Sequence, residues 1–235
     1  MQSTLSVATT EARETKYFVC GLKVLCFPMT PATTRAESHY FSPSPPDLSA
    51  LSLRLFEASL ENHTLEFATS AAVFNRSGLD QGSRILLEHL LIPSGAQVCD
   101  LGCGWGAIGC FLAARDQTAF ISMCDINARA VALARFNATR NQLKNTTAWC
   151  GDGLSAVRDE SFECIVCNPP VRAGNRVLAR LFSDAQRCLV SDGALWIVLR
   201  TAQGAKSWQQ RLKTQFGNCE LVVIDSGYRV FKCVK

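Results

Sequence analysis

From about residue 50 onward, the apolar positions of the chain alternate between two periods. "TLEFAT" (64–69) alternates as a half-buried strand does, and "GSRILLEHLLI" (82–92) carries its apolar residues on one helical face, with Asp80 and Ser83 near its start. Near-continuous apolar runs come next: "AQVCDL", "AFISMCDI", "TTAWC", "FECIVC" and "ALWIVL". Helical patterns over about 106–115, 128–141, 175–190 and 204–215 separate most of them, and "CELVVID" and "YRVFKCV", joined through Ser-Gly, close the series. Strands this apolar, interleaved with amphipathic helices, predict an α/β fold whose parallel sheet is covered on both faces. The closing pair predicts an antiparallel hairpin at the sheet edge.

The first 40 residues do not share this order. They are rich in Thr, Ser and Ala, and "SPSPPD" (42–47) follows as a loop of polyproline character. The expected organisation is therefore an appendage over 1–40, mobile or loosely docked, and a catalytic-sized domain over 41–235. "YFVCGLKVLCF" is the best candidate for a membrane segment, but it is short and interrupted by Lys23. Glu11 and Glu14 disfavour a secretory leader, so the expectation is a cytoplasmic protein with no membrane partner.

The 12 cysteines sit within apolar runs rather than loops and read as small buried hydrophobes. Cys164 and Cys167 have CxxC spacing, but i and i+3 face opposite sides of a strand, so no metal site is expected. Charge is uneven. Residues 169–235 hold eleven Lys and Arg against four Asp and Glu, a net of +7, whereas residues 1–168 carry −3. A positive C-terminal third suits a polyanionic partner such as RNA, and equally an ordinary solvated surface.

Candidate chemistry lies at the strand ends. In "VCDLGCGWGAIG" (98–109), Gly102, Gly104 and Gly106 allow close backbone approach to a ligand, and the following helix start offers N–H donors. Gly102, Gly104 and Ala107 also satisfy the dinucleotide fingerprint, which leaves a dehydrogenase open. Asp100 would repel a pyrophosphate and suits the amino and sulfonium groups of S-adenosylmethionine, unless it merely caps the turn. In "MCDIN", Asp125 can accept two ribose hydroxyls with Ile126 against an adenine face, or can cap the next helix. Asp152 in "CGDGL" can accept from an adenine amino group, although Gly-Asp-Gly is also a common turn.

"DLGCGWG", "CDIN", "GDG" and "NPP" follow one another at successive strand ends, where open α/β sheets bind ligands. In this the chain resembles the class I S-adenosylmethionine-dependent methyltransferases. "HYFS" (39–42), "VFNRSGLDQGSRILLEHL" (73–90), "NPPVRAGN" (168–175) and "RTAQGAKS" (200–207) are similar to the small-domain enzymes related to 16S ribosomal RNA guanine-N2 methyltransferases. The resemblance covers about residues 39–235. It implies a Rossmann-like, seven-stranded, mostly parallel sheet with an antiparallel last strand. It also implies a cofactor site of Asp100, Gly102, Cys103, Gly104, Gly106, Asp125, Ile126, Asp152 and Asn168.

The same resemblance makes Asn168, Pro169 and Pro170 the catalytic motif. An exocyclic amine is a poor nucleophile because its lone pair is delocalised into the ring. Acceptance of its two N–H groups by the Asn168 side-chain oxygen and the Pro169 carbonyl turns the lone pair toward the methyl group, and proline rigidity holds those acceptors ready. Val171 and Arg172 are expected to contact substrate, with Phe74 supplying an aromatic face. Val171 departs from the aromatic residue common after the prolines. That weakens the alternatives of adenine-N6 and protein glutamine-N5 methylation and favours guanine N2 of ribosomal RNA. A catalytically inactive cofactor- or RNA-binding module is the non-enzymatic alternative. The expected partner is ribosomal RNA or a ribosomal particle, with the protein a monomer or homodimer.

Overall fold

Seven of the apolar runs form one sheet. The computed structural model describes residues 14–20, 23–29, 53–70, 73 and 78–235. It divides into two units, Met1–Ala36 and Glu37–Lys235. In the first unit, strands β1 (Glu14–Cys20) and β2 (Lys23–Met29) pair antiparallel, with Cys20 opposite Lys23. This is the run weighed above as a membrane candidate. Its Tyr, Phe, Val and Leu residues are strong strand formers, and seven residues per strand are far too few to span a bilayer as a helix.

The second unit carries the expected α/β order. Its elements begin with β3 (Arg54–Leu60), β4 (His63–Thr69) and α1 (Gln81–His89), then β5 (Gln97–Leu101), α2 (Ala107–Arg115), β6 (Phe120–Asp125), α3 (Ala128–Arg140) and β7 (Thr146–Cys150). β8 (Phe162–Cys167), α4 (Asn175–Cys188), β9 (Leu189–Arg200), α5 (Ala205–Phe216), β10 (Glu220–Asp225) and β11 (Tyr228–Val234) complete it. The sheet order is β10-β11-β9-β8-β5-β6-β7, and β11 is antiparallel to both neighbours. This is the Rossmann-like seven-stranded arrangement the resemblance implied.

The closing hairpin differs from expectation in one respect. β11 lies between β9 and β10, so only β10 forms the edge. Ser226 and Gly227 both take left-handed φ, 47° and 80°, the two-residue turn that matches strand twist. Burial follows the same logic: β11 carries Val230, Phe231 and Cys233 fully buried, whereas Ile224 of β10 is exposed.

Each face of the sheet has its own core. Cys164 and Val166 pack on the face covered by α1, α2 and α3, and Ile165 and Cys167 on the face covered by α4 and α5. The two CxxC thiols therefore sit on opposite sides of the sheet, as period-two geometry requires. Eight cysteines among the described residues are buried.

The hairpin β3–β4 forms a separate small sheet. α3 and its C-cap hold it by two asparagines one turn apart, Asn137 and Asn141. Asn137 accepts from Ala68 N at 2.7 Å and donates to Ala68 O and Trp105 O; Asn141 accepts from Glu66 N and donates to Glu66 O. Residues 66 and 68 point their backbone groups the same way, so an i, i+4 pair on a helix imitates a neighbouring strand. Phe67 and Phe56 close the contact edge-on against Trp105 of the glycine loop, with centroids 4.8 and 5.4 Å away. Each buried backbone group that lost its asparagine partner would cost about 1–3 kcal/mol, so the hairpin is fastened to the loop it covers.

Candidate functional site

β8, β5, β6 and β7 are neighbouring parallel strands, so the residues at their C-terminal ends form one row. Asp100 sits opposite Val166 on one side and Met123 on the other, and Asp125 sits opposite Cys150. The chain leaves β5 toward β6 on one side, and β8 leads to β9 on the other. The crevice between Asp100 and Asn168 is therefore a topological switch point, the place where open sheets bind ligands.

The glycine loop is held chiefly by the end of β6. Gly102 N and Cys103 N both donate to Cys124 O, Gly104 N donates to Asp125 Oδ2, and Gly106 N donates to Cys103 O. Gly102, Gly104 and Gly106 all have left-handed φ, 78°, 55° and 87°. At Gly102 and Gly104 an added Cβ would project into open space, which leaves room for a ligand against bare backbone, whereas at Gly106 it would crowd Ala134 at 3.0 Å. Cys103 is buried and contributes its backbone to the turn.

Asp100 is 1% exposed. Its Oδ2 accepts from Gly109 N in the first turn of α2 at 2.9 Å, and its Oδ1 has no hydrogen-bond partner. Burial, aided by the nearby Asp125 and opposed by the Gly109 hydrogen bond, pushes its carboxyl up to about 7. This arrangement decides between two readings left open above. A pyrophosphate needs free amides at the loop and helix start, but four loop amides are bonded internally and a carboxylate already occupies the helix start. The dinucleotide reading is closed. An orphaned carboxylate oxygen beside open backbone fits a ligand bearing an ammonium group, which S-adenosylmethionine does.

Asp125 lies at the next strand end and is 6% exposed. Its Oδ1 accepts from Asn127 N and its Oδ2 from Gly104 N, which fixes the carboxylate while leaving each oxygen a further lone pair. Burial, opposed by backbone hydrogen bonds, raises its pKa from the ordinary aspartate value. The N-cap of α3 is Asn127, whose side chain accepts from Arg129 N. Asp125 is thus free of the capping role considered above. Ile126 is 40% exposed beside it, an apolar side chain open to a flat ring.

Asp152, beyond β7, lies further along the same row and is already partnered. Arg180 of α4 takes both its oxygens, at 2.5 and 2.7 Å. The pair is half-exposed, the kind whose net worth is about 0–1 kcal/mol, so a ligand amino group can exchange into it at little cost.

At the end of β8, Asn168 donates from Nδ2 to Ser83 Oγ at 2.9 Å and to Asp80 Oδ1 at 3.1 Å. Pro170 has φ −74° and ψ 78°, and Val171 N donates to Pro169 O at 2.9 Å, which is an inverse γ-turn. Pro170 pre-sets that φ, and one lone pair of the Pro169 carbonyl stays free. Val171 opens a single 3-10 turn (Val171–Ala173) and packs partly onto the α4–α5 core, while Arg172 is exposed. Phe74, expected to supply an aromatic face, lies outside the described residues. Asp80 and Ser83 were legible only as the start of α1, a role Asp80 does perform by accepting from Ser83 N. Nothing in their spacing announces a partner 88 residues away.

The fold, the switch-point crevice and its carboxylates define a Rossmann-like methyltransferase. The chain belongs to the methyltransferase small domain family, which it matches over residues 64–232. It is 34% identical over 199 residues to "Uncharacterized protein YbxB" of Bacillus subtilis, a span of 84% of this chain and 98% of that one. Ribosomal RNA large subunit methyltransferase G of Aeromonas hydrophila is 34% identical over 183 residues, 75% of this chain and 47% of that one. Among solved structures, the T. thermophilus 16S rRNA N2 G methyltransferase RsmC, in complex with AdoMet and guanosine, superposes with a TM-score of 0.70 at 27% identity. That match covers 81% of this chain and 52% of RsmC. The chain thus spans about half the length of these two ribosomal RNA enzymes. The expectation of an S-adenosylmethionine-dependent methyltransferase stands. No described helix is long and apolar enough to cross a membrane.

Proposed function

We propose that residues 41–235 methylate the N2 amine of a guanine in ribosomal RNA, in the cytoplasm. The observation that carries the reading is Asn168, rigidly followed by Pro169 and Pro170, placed across the sheet's switch point from the orphaned oxygen of Asp100. Similarity to RsmC, solved with AdoMet and guanosine, supports the choice of base, and the +7 charge of residues 169–235 supports an RNA partner.

S-adenosylmethionine, when bound, supplies an electrophilic methyl group on a sulfonium. Asp100 would hold its amino end, Asp125 its ribose hydroxyls and Ile126 its adenine face, with Gly102, Cys103, Gly104 and Gly106 leaving space along the backbone. Asp152 would accept from the adenine amino group in exchange for Arg180. Asn168 Oδ1 and the free lone pair of Pro169 O accept the two N–H groups of the guanine amine, which aims its lone pair away from the ring. The proton shed after transfer passes to water, since the methylated amine is acidic and needs no dedicated base. Val171 gives apolar contact to the base, and Arg172 and Arg176 meet phosphates.

The test is nucleoside mass spectrometry of RNA from a deletion strain, followed by methylation of that RNA by the purified protein. Missing N2-methylguanosine that the protein restores is the expected result. An unchanged RNA profile overturns the reading, and labelling of a protein glutamine or of adenine N6 instead would identify the competing substrate.

A further inference from the structure

The Asn168 side chain is useful only one way round. An amide presents an acceptor on one side and two donors on the other, and a half-turn about its last bond swaps them. Resting on the reading of Asn168 as the amine acceptor, we infer that Asp80 and Ser83 are positioning residues which lock that amide with its oxygen toward the substrate. Asp80 is acceptor-only when ionised, so the Asn168 oxygen cannot face it without oxygen–oxygen repulsion, and Nδ2 must. Ser83 Oγ accepts the second N–H of the same group, at 2.9 Å. Both donors of Asn168 are then used, and Oδ1 is left pointing away from α1.

The anchor is itself held in place. Asp80 Oδ1 also accepts from Ser83 N at 3.1 Å, so the carboxylate cannot rotate without uncapping the helix. Ser83 is buried, and the turn between them lies against the last strand: a Cβ on Gly82 would come within 2.8 Å of the Tyr228 ring. The Tyr228 ring of β11 thus lies close against the first turn of α1, whose Asp80 and Ser83 hold the amide. This gives the segment "GLDQGSR" a task in the reaction beyond starting a helix.

Four variants test it: Ser83→Ala, Asp80→Asn, Asn168→Asp and the double exchange of 80 and 168. Ser83→Ala should lower kcat for methyl transfer to undermethylated ribosomal RNA about tenfold, with KM and S-adenosylmethionine affinity within about twofold. Asn168→Asp sets two carboxylates against each other and should lose about a hundredfold or more. Adding Asp80→Asn to it restores a donor–acceptor pair and should recover about tenfold, whereas Asp80→Asn alone should lower activity. A purely structural role would make Asp80→Asn harmful in both backgrounds, and that result, or an unchanged kcat in Ser83→Ala, overturns the assignment. Side-chain amide NMR provides a readout independent of any substrate. The Asn168 NH2 protons, identified by their loss in Asn168→Asp, should exchange slowly in the wild type and rapidly in Ser83→Ala, and fast exchange in the wild type removes the anchor. If those protons are protected but no RNA is methylated, the RNA reading fails and the anchor stands.

Discussion

The two walls of the crevice are built by different means. On the β5–β6 side, the carboxylates of Asp100 and Asp125 accept from nearby backbone, Gly109 N, Gly104 N and Asn127 N, none of them more than 21 residues away. On the β8 side, Asn168 takes its partners from 85 and 88 residues upstream, across the sheet's reversal. The first wall is backbone conformation plus burial. Its glycines turn the chain, its amides fix the carboxylates, and removal from water raises both pKa values. The second wall is side chain against side chain, with the prolines and their tight turn as local constraint. The β5–β6 wall is thus set mainly by nearby chain, whereas the β8 wall depends on the docking of α1.

That contrast is sharpest for turnover. Asn168→Ala should cut methyl transfer by about a thousandfold, the scale of losing a preorganised acceptor, while S-adenosylmethionine affinity stays within about threefold by calorimetry. Retained turnover would break the division between the two walls. Asp125→Ala should do the reverse and weaken cofactor binding about a hundredfold, as loss of charged hydrogen bonds predicts. Equal affinity in titrations of the two proteins would remove Asp125 from the site.

The third prediction concerns pH. Asp100 titrates near 7 folded against 3.8 for an unperturbed Asp. The folded state therefore holds that proton over pH 4 to 7 where the unfolded chain has lost it. The stability this contributes is full below about pH 4 and is lost as pH rises through about 7. Urea unfolding of the ligand-free protein, compared with Asp100→Asn, should show the wild type losing about 2 kcal/mol relative to the variant between pH 5 and pH 7. Parallel curves would mean that Asp100 titrates normally. The smallest effect belongs to Asp152→Ala. An exposed ion pair with Arg180 is lost and, on the proposed reading, one adenine contact with it, so binding should weaken no more than about fivefold, with melting temperature nearly unchanged. A hundredfold loss would promote Asp152 to the rank of Asp125.

Much of the first wall was legible along the chain. A strand ending in Asp100, three glycines and a helix start can be read locally, because left-handed φ and short-range amides are properties of neighbouring residues. The same holds for Asp125, although its competitor for the helix cap was resolved only when Asn127 took that place. Val171 could be named as a departure but not located, since its partial burial against α4 and α5 depends on packing. The insertion of β11 inside the sheet was hidden for a related reason: a hairpin's turn sets which strands pair with each other, not which of them meets the rest of the sheet.

The sequence by itself determined the order of elements from β4 onward, though not β1, β2 or β3, and the row of candidate residues at successive strand ends with the chemistry they offer. Hydrophobic period and turn chemistry are local, and right-handed crossovers then leave little choice of topology. Tertiary structure alone decided the closure of the dinucleotide reading, the pairing of Asp152 with Arg180 and the facing of the Asn168 amide. Each depends on which donor meets which acceptor across the fold, and hydrogen bonds are short-ranged, so a few ångströms of packing settle what 85 residues of chain leave open.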